Sequence, residues 1–241
     1  NVQQLTADFE VYIQGFSENV QDILDKFDFR RQLEKMVKAR ILGSVIEKFV
    51  SNKVNFSPDP VLDEHGKVRL PGLDNHAMGM LFEELIRRFN EENNEEAGEH
   101  FTPRDVVELM ADLVLMPVAD RVKNGTYTCY DGACGTGGML TVAEQRLKDL
   151  AESAGKKVSI HLFGQEVNPE TCAITKADMI LKGEGAQTHA VVCGSTLADD
   201  GYTGHHFDIM LSNPPYGKAW GGDADKMGGK AGITDLRFHG T

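Results

Sequence analysis

Apolar residues recur every three or four positions through most of the first 98 residues, which is the spacing of amphipathic helices. Turn residues interrupt this pattern between Ser57 and Gly72, where Ser57-Pro58-Asp59-Pro60 and Pro71-Gly72 predict a loop. We therefore expect residues 1–98 to form a helical module that offers a packing or partner surface. Its predicted helices contain the apolar groups Val20–Phe27, Leu33–Leu42 and Ile46–Val50, and a further helix is predicted from His76 to about Asn93.

The pattern changes at Thr102 and then alternates between strands and helices. Thr102-Pro103-Arg104-Asp105 predicts a helix start, with Thr102 as the N-cap and Pro103 at the first helical position. Alternating strands and helices indicate an α/β fold with a mostly parallel sheet and helices on both faces. The predicted strands are Thr126–Asp131, Val158–Val167, Ala190–Cys193 and Phe207–Ser212, and the predicted helices are Met139–Ser153 and one from Asn168-Pro169 to about Lys182.

The length of 241 residues suits a catalytic domain, predicted over residues 99–241, with a smaller module before it. Because the chain begins with Asn1, we expect a trimmed N-terminus. The sequence shows neither an apolar stretch of membrane-span length nor a signal-peptide pattern. The cysteines lack CxxC spacing, which predicts reduced thiols of a cytosolic protein. They are Cys129, Cys134, Cys172 and Cys193.

The formal net charge of −12 is unfavourable for a protein that binds nucleic acid by itself. DNA binding rests largely on Lys and Arg side chains that neutralise phosphates. Either the substrate is not a nucleic acid, or another subunit supplies much of the contact with DNA. Charge alone leaves both alternatives open.

The sequence Asn213-Pro214-Pro215-Tyr216 follows directly after the strand predicted at Phe207–Ser212. Because each proline lacks a backbone donor and fixes φ, the chain must turn where the strand stops. Ligands of open α/β sheets bind at the carboxyl ends of strands. The amide side chain, the free carbonyl groups and the aromatic ring of this turn suit a planar substrate with an exocyclic amino group. An ordinary proline-rich turn with a packed tyrosine is the alternative.

A glycine-rich loop, Asp131–Gly138, lies between a predicted strand and a predicted helix. Its small residues let a ligand approach backbone N–H groups at a helix N-terminus, as in sites for NAD, FAD and S-adenosylmethionine. The spacing is not that of the G-x-G-x-x-G dinucleotide motif. Asp131 also suits a cationic ligand better than a pyrophosphate, and S-adenosylmethionine carries a positive sulfur and an α-amino group.

Glu166 ends the second predicted strand, where a carboxylate commonly accepts the two ribose hydroxyls of a nucleotide cofactor. A solvated or N-capping carboxylate is the alternative. The third strand runs into Gly194–Leu197, a turn that could border the cofactor adenine. We expect Cys134 to be a small filler of the loop rather than a nucleophile, and His205-His206 to lie in a solvated loop rather than on a metal.

The order of these motifs resembles that of adenine-specific DNA methyltransferases of the gamma arrangement. It runs from Phe101-Thr102-Pro103 through the glycine-rich loop and Glu166 to Asn213–Tyr216. The runs Met78–Leu85 and Glu95–Arg104 resemble the modification (methyltransferase) subunit of type I restriction–modification systems. The resemblance implies a Rossmann-like S-adenosylmethionine-dependent methyltransferase sheet. We expect that sheet to be truncated at its C-terminal end, because such sheets have further strands after this turn.

The same resemblance implies roles for individual residues. Ser195 stands where such enzymes often place an acidic residue against the cofactor adenine, which leaves that contact open. The implied cofactor residues are Phe101, Thr102, Asp131, Ala133, Gly135, Gly137, Glu166 and Ser195, and the implied target-adenine residues are Asn213, Pro214, Pro215 and Tyr216. The implied partners are double-stranded DNA, a specificity subunit that binds two copies of this chain, and a restriction (translocase and nuclease) subunit, all in the cytoplasm. No metal is needed.

Two alternatives remain beside this interpretation. Enzymes that methylate a planar amide, such as a glutamine side chain in a protein, share the strand and turn at Asn213–Tyr216. The chain could also be an inactive scaffold that only binds S-adenosylmethionine. The Phe101–Pro103 segment argues against the first alternative, and the intact Asn213–Tyr216 turn argues against the second. The glycine-rich segment Lys218–Gly232 is expected to be a mobile loop near the target base.

Overall fold

The computed structural model describes residues 2–92, 102–182, 185–229 and 232–238. The chain divides into two compact units, one formed by Asn1–Glu95 with Lys176–Thr188 and the other by Glu96–Thr175 with His189–Thr241. The helices are α1 (Val2–Gln14), α2 (Glu18–Lys26), α3 (Phe29–Lys38), α4 (Leu42–Phe49), α5 (Asn75–Glu92), α6 (Arg104–Leu115), α7 (Gly138–Ser153), α8 (Pro169–Leu181) and α9 (Gly221–Lys226). The strands are β1 (Val61–Leu62), β2 (Val68–Leu70), β3 (Gly125–Asp131), β4 (Val158–Glu166), β5 (Val191–Cys193) and β6 (Ile209–Met210), and short 3₁₀ turns cover Met116–Arg121, Gly185–Ala190 and Leu236–Phe238.

The first unit contains the predicted helical module. Its core forms around Ile13 of α1, Leu33 of α3 and Leu42 of α4, all buried. Partly buried apolar residues pack against these three, so each helix turns its apolar stripe inward as the spacing predicted. The surrounding residues are Leu5, Phe9, Leu24, Phe29, Met36, Val37 and Ile46.

A small antiparallel hairpin, β1 with β2, lies where the sequence predicted only a loop. Asp63 Oδ1 accepts the N–H groups of His65 at 2.9 Å and Lys67 at 2.8 Å, and Gly66 takes a left-handed φ of +78°. The turn chemistry was visible in the sequence. The strands were not, because two or three residues are too few to show alternation.

The second unit contains a four-stranded parallel sheet in the order β5-β4-β3-β6, which confirms the predicted α/β fold. The chain adds β4 and β5 on one side of β3 and then returns to add β6 on the other side. The strand order therefore reverses between β3 and β6. In open α/β sheets, ligands bind in the crevice at the carboxyl ends of the two strands that flank such a reversal.

Strand β6 is shorter than the strand predicted at Phe207–Ser212. Asp208 Oδ2 accepts the backbone N–H of Thr128 at 2.8 Å, so a side chain takes the place of a ladder bond at this point. The ring of Phe207 stacks on Tyr130 with centroids 4.6 Å apart. Regular pairing begins only at Ile209, and the Leu211 N–H then continues it by donating to the Tyr130 carbonyl at 3.1 Å.

Two further expectations about local structure need correction. Helix α6 begins at Arg104 with Pro103 in the N-cap position and no side-chain cap bond, so Thr102 is not the cap. The glycine-rich segment after the turn contains α9, whose Ala224 is buried, rather than irregular loop throughout. Its mobility stays a prediction.

The cysteine prediction is wrong for one pair. Cys172 in the first turn of α8 and Cys193 at the end of β5 form a disulfide, with Cα atoms 5.7 Å apart, while Cys129 and Cys134 are buried free thiols. The crossover from β4 through α8 to β5 brings the first two together. Their separation of 21 residues carries no local signal of this contact.

None of the helices in the described ranges has the length and apolar character needed to cross a lipid bilayer.

Candidate active site

The glycine-rich loop connects the end of β3 to the start of α7. Asp131 is buried, and its Oδ1 accepts the Ala133 N–H at 3.0 Å. Gly137 has a left-handed φ of +84°, and a Cβ there would lie 2.9 Å from Thr175 Cγ2. Both facts require glycine at 137. A Cβ on Gly138, by contrast, would meet nothing within 4 Å, so there is open space beside the N-terminus of α7.

Glu166 at the end of β4 faces this loop. Its Oε2 accepts the Gly135 N–H at 2.9 Å and its Oε1 accepts the Asn168 N–H at 2.8 Å. The side chain is buried, so it is not a solvated carboxylate. A carboxylate oxygen accepts more than one hydrogen bond. The predicted contact with ribose hydroxyls therefore remains compatible with these two bonds and stays a prediction.

Two threonines that the sequence analysis missed hold the loop from its carbonyl side. The hydroxyl of Thr175 in α8 donates to the Gly135 carbonyl, and that of Thr196 donates to the Gly132 carbonyl. In the sequence, Thr196 could be noticed only as a hydroxyl residue in the turn Gly194–Leu197. No sequence pattern indicated its contact with Gly132. Together with Glu166, these side chains fix the loop on both faces.

The electrostatics of the loop favour a positively charged ligand. Burial raises the pKa of Asp131 to about 6, the Glu166 charge acts in the same direction, and hydrogen bonds from the Ala133 N–H and the Ser212 hydroxyl partly oppose the increase. A cation beside Asp131 would relieve the cost of holding its buried carboxylate ionised. The donor set thus fits an ammonium or sulfonium group better than a pyrophosphate.

The turn after β5, Gly194–Leu197, is held by hydrogen bonds within the turn and to neighbouring segments. The Gly194 N–H donates to the Glu166 carbonyl at 2.8 Å, and Ser195 Oγ accepts the Ala198 N–H at 3.2 Å. Arg237 donates to the carbonyls of Thr196 at 2.8 Å and Leu197 at 3.2 Å. Ser195 therefore stabilises its own turn, and its predicted place beside a cofactor adenine stays a prediction.

The turn Asn213–Tyr216 leaves the carboxyl end of β6 and is exposed, with 83% of Tyr216 accessible to solvent. Asn213 Nδ2 donates to Thr102 Oγ1 at 3.1 Å. Ser212 acts to lower the pKa of Asp131, and the Leu211 N–H donates to the Tyr130 carbonyl at 3.1 Å. The structure thus brings together the end of β3, the end of β6 and the segment before α6, whereas Phe101 lies outside the described residues.

Two other candidates have the minor roles expected from the sequence. Burial raises the pKa of the Cys134 thiol, so Cys134 is protonated and serves as packing against Gly164. His205 and His206 are exposed, and His205 stacks on Phe207. Within the described part of the chain, no group of three or more His, Cys, Asp or Glu residues could hold a metal ion.

A parallel sheet whose strand order reverses beside a glycine-rich loop, with a carboxylate at the end of the next strand, is the arrangement of Rossmann-like folds that bind nucleotide cofactors. Similar solved structures place the chain among those that are S-adenosylmethionine-dependent methyltransferases. A Listeria monocytogenes structure described as a class I enzyme of this type has the same fold, with a TM-score of 0.50 and 20% identity over 63% of this chain and 43% of that one. Within this class, the chain belongs to the N-6 DNA Methylase family, whose model matches residues 73–239.

Named relatives agree with this membership. The chain is 30% identical to the methylase subunit of the type I restriction enzyme MpnII of Mycoplasma pneumoniae, over 67% of this chain and 29% of the relative. It is 30% identical to the EcoKI methylase subunit of Escherichia coli K12, over 65% and 29%. A type I methyltransferase subunit from Streptococcus thermophilus matches with a TM-score of 0.51 and 29% identity, over 69% and 32%. The chain spans less than a third of each of these three relatives.

Proposed function

We propose that this chain forms the catalytic centre of a DNA adenine-N6 methyltransferase that uses S-adenosylmethionine. The observation that carries the proposal is the exposed Asn213–Tyr216 turn beside the Asp131–Gly138 loop, at the reversal of strand order. Membership of the N-6 DNA Methylase family supports adenine as the target.

The cofactor would lie against the glycine-rich loop. Open space beside Gly138, the backbone N–H groups of the first turn of α7, and the buried carboxylates Asp131 and Glu166 fit S-adenosylmethionine. Asp131 would meet its α-amino group and Glu166 its ribose, while Ala133, Gly135 and Gly137 keep the loop close to the ligand. Once bound, S-adenosylmethionine supplies a methyl group activated by a positively charged sulfur.

Asn213 and Pro214 would make the target amine reactive. The lone pair of the adenine amino group is delocalised into the ring, so this nitrogen is a poor nucleophile. Asn213 Oδ1 and the Pro214 carbonyl would accept its two N–H bonds and stabilise the positive charge that develops on it. As the methyl group leaves the cofactor sulfur for this nitrogen, these two acceptors would stabilise the nitrogen, which would then release one proton to solvent.

Tyr216 would hold the target base outside the helix. An adenine inside a duplex cannot reach this turn, so it must be flipped out at a cost of a few kcal/mol. Stacking of a base on one aromatic ring contributes about 1–3 kcal/mol. The ring of Tyr216 is 83% exposed and is therefore available for such stacking. Pro215 would keep the turn rigid between the two functional side chains.

The test is transfer of tritium from labelled S-adenosylmethionine by the enzyme that carries this chain. Long amplified DNA would serve as the substrate, since it contains many sequences without prior methylation. The matched control is the same DNA amplified with N6-methyladenine in place of adenine. We expect label only in the first DNA, as N6-methyladenine after digestion. Label in a glutamine-containing peptide instead, or cofactor binding with no transfer, would support the amide methyltransferase or the scaffold alternative.

The partners are a further part of the proposal. Methylase subunits of type I restriction enzymes among the relatives support a role of this chain in a restriction–modification complex. We further propose that a specificity subunit binds two copies of this chain and that a restriction subunit joins them. Such a complex would meet its double-stranded DNA in the cytoplasm. Within the chain, we propose the helical module over residues 1–98 and the catalytic domain over residues 99–241.

A further inference from the structure

Arg237 binds the turn that follows β5, and the proposed function gives it no part. Its Nη1 donates to the Thr196 carbonyl at 2.8 Å, and its Nη2 donates to the Leu197 carbonyl at 3.2 Å. A guanidinium has only donors and a carbonyl oxygen only accepts, so the direction of both bonds is fixed. Arg237 lies 41 and 40 positions from these residues in the chain, so the contact depends on the fold and not on local sequence.

Two carboxylates hold the guanidinium in this position. Asp235 Oδ2 accepts hydrogen bonds from Nε at 2.9 Å and from Nη2 at 2.6 Å, and Asp200 Oδ2 lies 3.3 Å from Nη1. The hydrogen bond to Asp235 raises the pKa of Arg237 above its ordinary value. The next residue, Phe238, stacks on Trp220 with ring centroids 5.8 Å apart. The Arg237 side chain is therefore anchored in one orientation.

The turn that Arg237 binds is itself in contact with the proposed cofactor pocket. The Thr196 hydroxyl donates to the Gly132 carbonyl of the glycine-rich loop, and a Cβ on Gly132 would lie 3.2 Å from Thr196 Cγ2. The Gly194 N–H, at the start of the same turn, donates to the Glu166 carbonyl at 2.8 Å. Arg237 thus supports a turn that contacts two segments of the pocket.

We propose that Arg237 is a positioning residue for cofactor binding, whose guanidinium fork holds the Gly194–Leu197 turn against the glycine-rich loop, beside the cofactor adenine. This inference rests on the proposed function, because the pocket is the one assigned there to S-adenosylmethionine. Arg237 acts through the turn and does not touch the cofactor. Lysine cannot replace it, since an ammonium group lacks the planar fork that reaches two neighbouring carbonyls.

The first experiment measures the affinity of the enzyme that carries this chain for S-adenosylhomocysteine, the demethylated product, by calorimetry. Arg237→Met removes the fork, and Arg237→Lys keeps the charge without the fork. We expect Arg237→Met to weaken binding about threefold to tenfold, the range of one net hydrogen bond. The affinity of Arg237→Lys should lie closer to that of Arg237→Met than to the parental value.

The matched control is Arg121→Met, because Arg121 is exposed at the end of the 3₁₀ turn Met116–Arg121. Its affinity should stay within about twofold of the parental value, as for an ordinary surface substitution. Thermal melts of the ligand-free variants show how much each substitution affects folding.

The second experiment asks whether Arg237 acts through the turn. Thr196→Val removes the hydroxyl that binds the Gly132 carbonyl, and it is combined with Arg237→Met in a double-mutant cycle. If both residues support the same contact, their effects on affinity are not additive. The double variant should then bind S-adenosylhomocysteine little more weakly than Thr196→Val alone.

The third experiment uses 5′-methylthioadenosine, which keeps the adenine, the ribose and the sulfur but lacks the amino-acid part. Because the turn lies on the adenine side, Arg237→Met should weaken this ligand and S-adenosylhomocysteine by the same factor. Loss of affinity for S-adenosylhomocysteine alone would mean that Arg237 binds the ligand carboxylate directly, which overturns the inference.

The other outcomes are equally decisive. Parental affinity in folded Arg237→Met, with or without a lower melting midpoint, would show that Arg237 has no role in cofactor binding. Full recovery by Arg237→Lys would assign the effect to charge, and additive losses in the cycle would place it outside the turn. If Arg237→Met does not fold, Arg237→Gln takes its place. If the parental enzyme binds neither ligand, the proposed cofactor is wrong and the inference falls with it, whereas parental binding that the variants leave unchanged overturns the inference alone.

Discussion

At the scale of single residues, the polar groups of the site fall into two environments. Asp131 and Glu166 are buried and bonded to the backbone of the loop, whereas Asn213 and Tyr216 are exposed at the end of β6. Substitution of a buried carboxylate therefore affects both the fold and the ligand. Substitution of an exposed side chain reports on chemistry with little effect on folding.

Asn213→Ala should separate a catalytic turn from a structural one. It removes an acceptor that matters most when the amine becomes positively charged, so the methyl-transfer rate should fall about 10²–10³-fold. Cofactor affinity and the thermal unfolding midpoint should stay close to the parental values. Single-turnover kinetics, calorimetry and a thermal melt measure the three quantities. A near-parental rate in a folded, cofactor-binding variant would remove the role that we give to Asn213.

Tyr216 should act in capture of the base rather than in transfer. Tyr216→Ala removes the stacking surface, so the DNA concentration for half-maximal rate should rise, whereas Tyr216→Phe keeps the ring and most of the activity. Steady-state rates over a range of DNA concentrations test this difference. Equal losses in both variants would point to the hydroxyl group and against stacking.

Asp131 should make stability depend on pH. Its pKa in the folded protein is about 6, against about 3.9 in an unfolded chain. The folded state therefore holds the proton more tightly. The resulting stability is complete below about pH 4 and is lost as pH rises through about 6. Relative to Asp131→Asn, the parental protein should lose about 3 kcal/mol of unfolding free energy across this window. Urea unfolding of both proteins at several pH values would show it, and parallel curves would refute it.

At the scale of elements, the sequence predicted the strands and helices that have a periodic apolar pattern. It did not predict the features that depend on one contact between residues far apart in the chain. The order of strands and helices along the second unit was predicted correctly. The helices and the longer strands β3 and β4 have periodic apolar patterns, and β5 and β6 lie within short apolar runs. The start of β6 depends on Asp208 bonding to Thr128, 80 residues earlier. Thr102 bonds to the distant Asn213 and does not cap α6. The pairing of Cys172 with Cys193 likewise needs the assembled crossover. The site residues could be named from motifs, but their mutual contacts could not.

The entry into α7 offers a matched pair of glycine substitutions. Gly137→Ala places a Cβ at a left-handed φ and 2.9 Å from Thr175, so it should destabilise the protein by about 2 kcal/mol or more. Gly138→Ala adds a Cβ in open space on a helical residue and should change stability by no more than about 1 kcal/mol, in the stabilising direction. Urea unfolding of both variants tests the difference. Equal effects would mean that the loop conformation is not the one described.

At the scale of the whole molecule, the net charge of −12 limits what this chain can do alone. An excess of carboxylates repels the phosphate backbone, so we expect the isolated chain to bind DNA weakly and without site preference at physiological salt. Addition of a basic specificity subunit should produce tight, salt-dependent and site-selective binding. Fluorescence anisotropy with labelled duplexes measures both states. Tight and site-selective binding by the chain alone would contradict the proposed division of labour.

The disulfide between Cys172 and Cys193 gives the protein a distinctive response to alkylating reagents. The two remaining cysteines, Cys129 and Cys134, are buried, and burial raises the pKa of Cys129 to about 12. The native protein should therefore incorporate almost no iodoacetamide. After denaturation without a reductant, the mass should increase by two carbamidomethyl groups, and after reduction by four. This stepwise labelling identifies the oxidation state of any preparation, and it would reveal whether the β4–α8–β5 crossover is covalently closed.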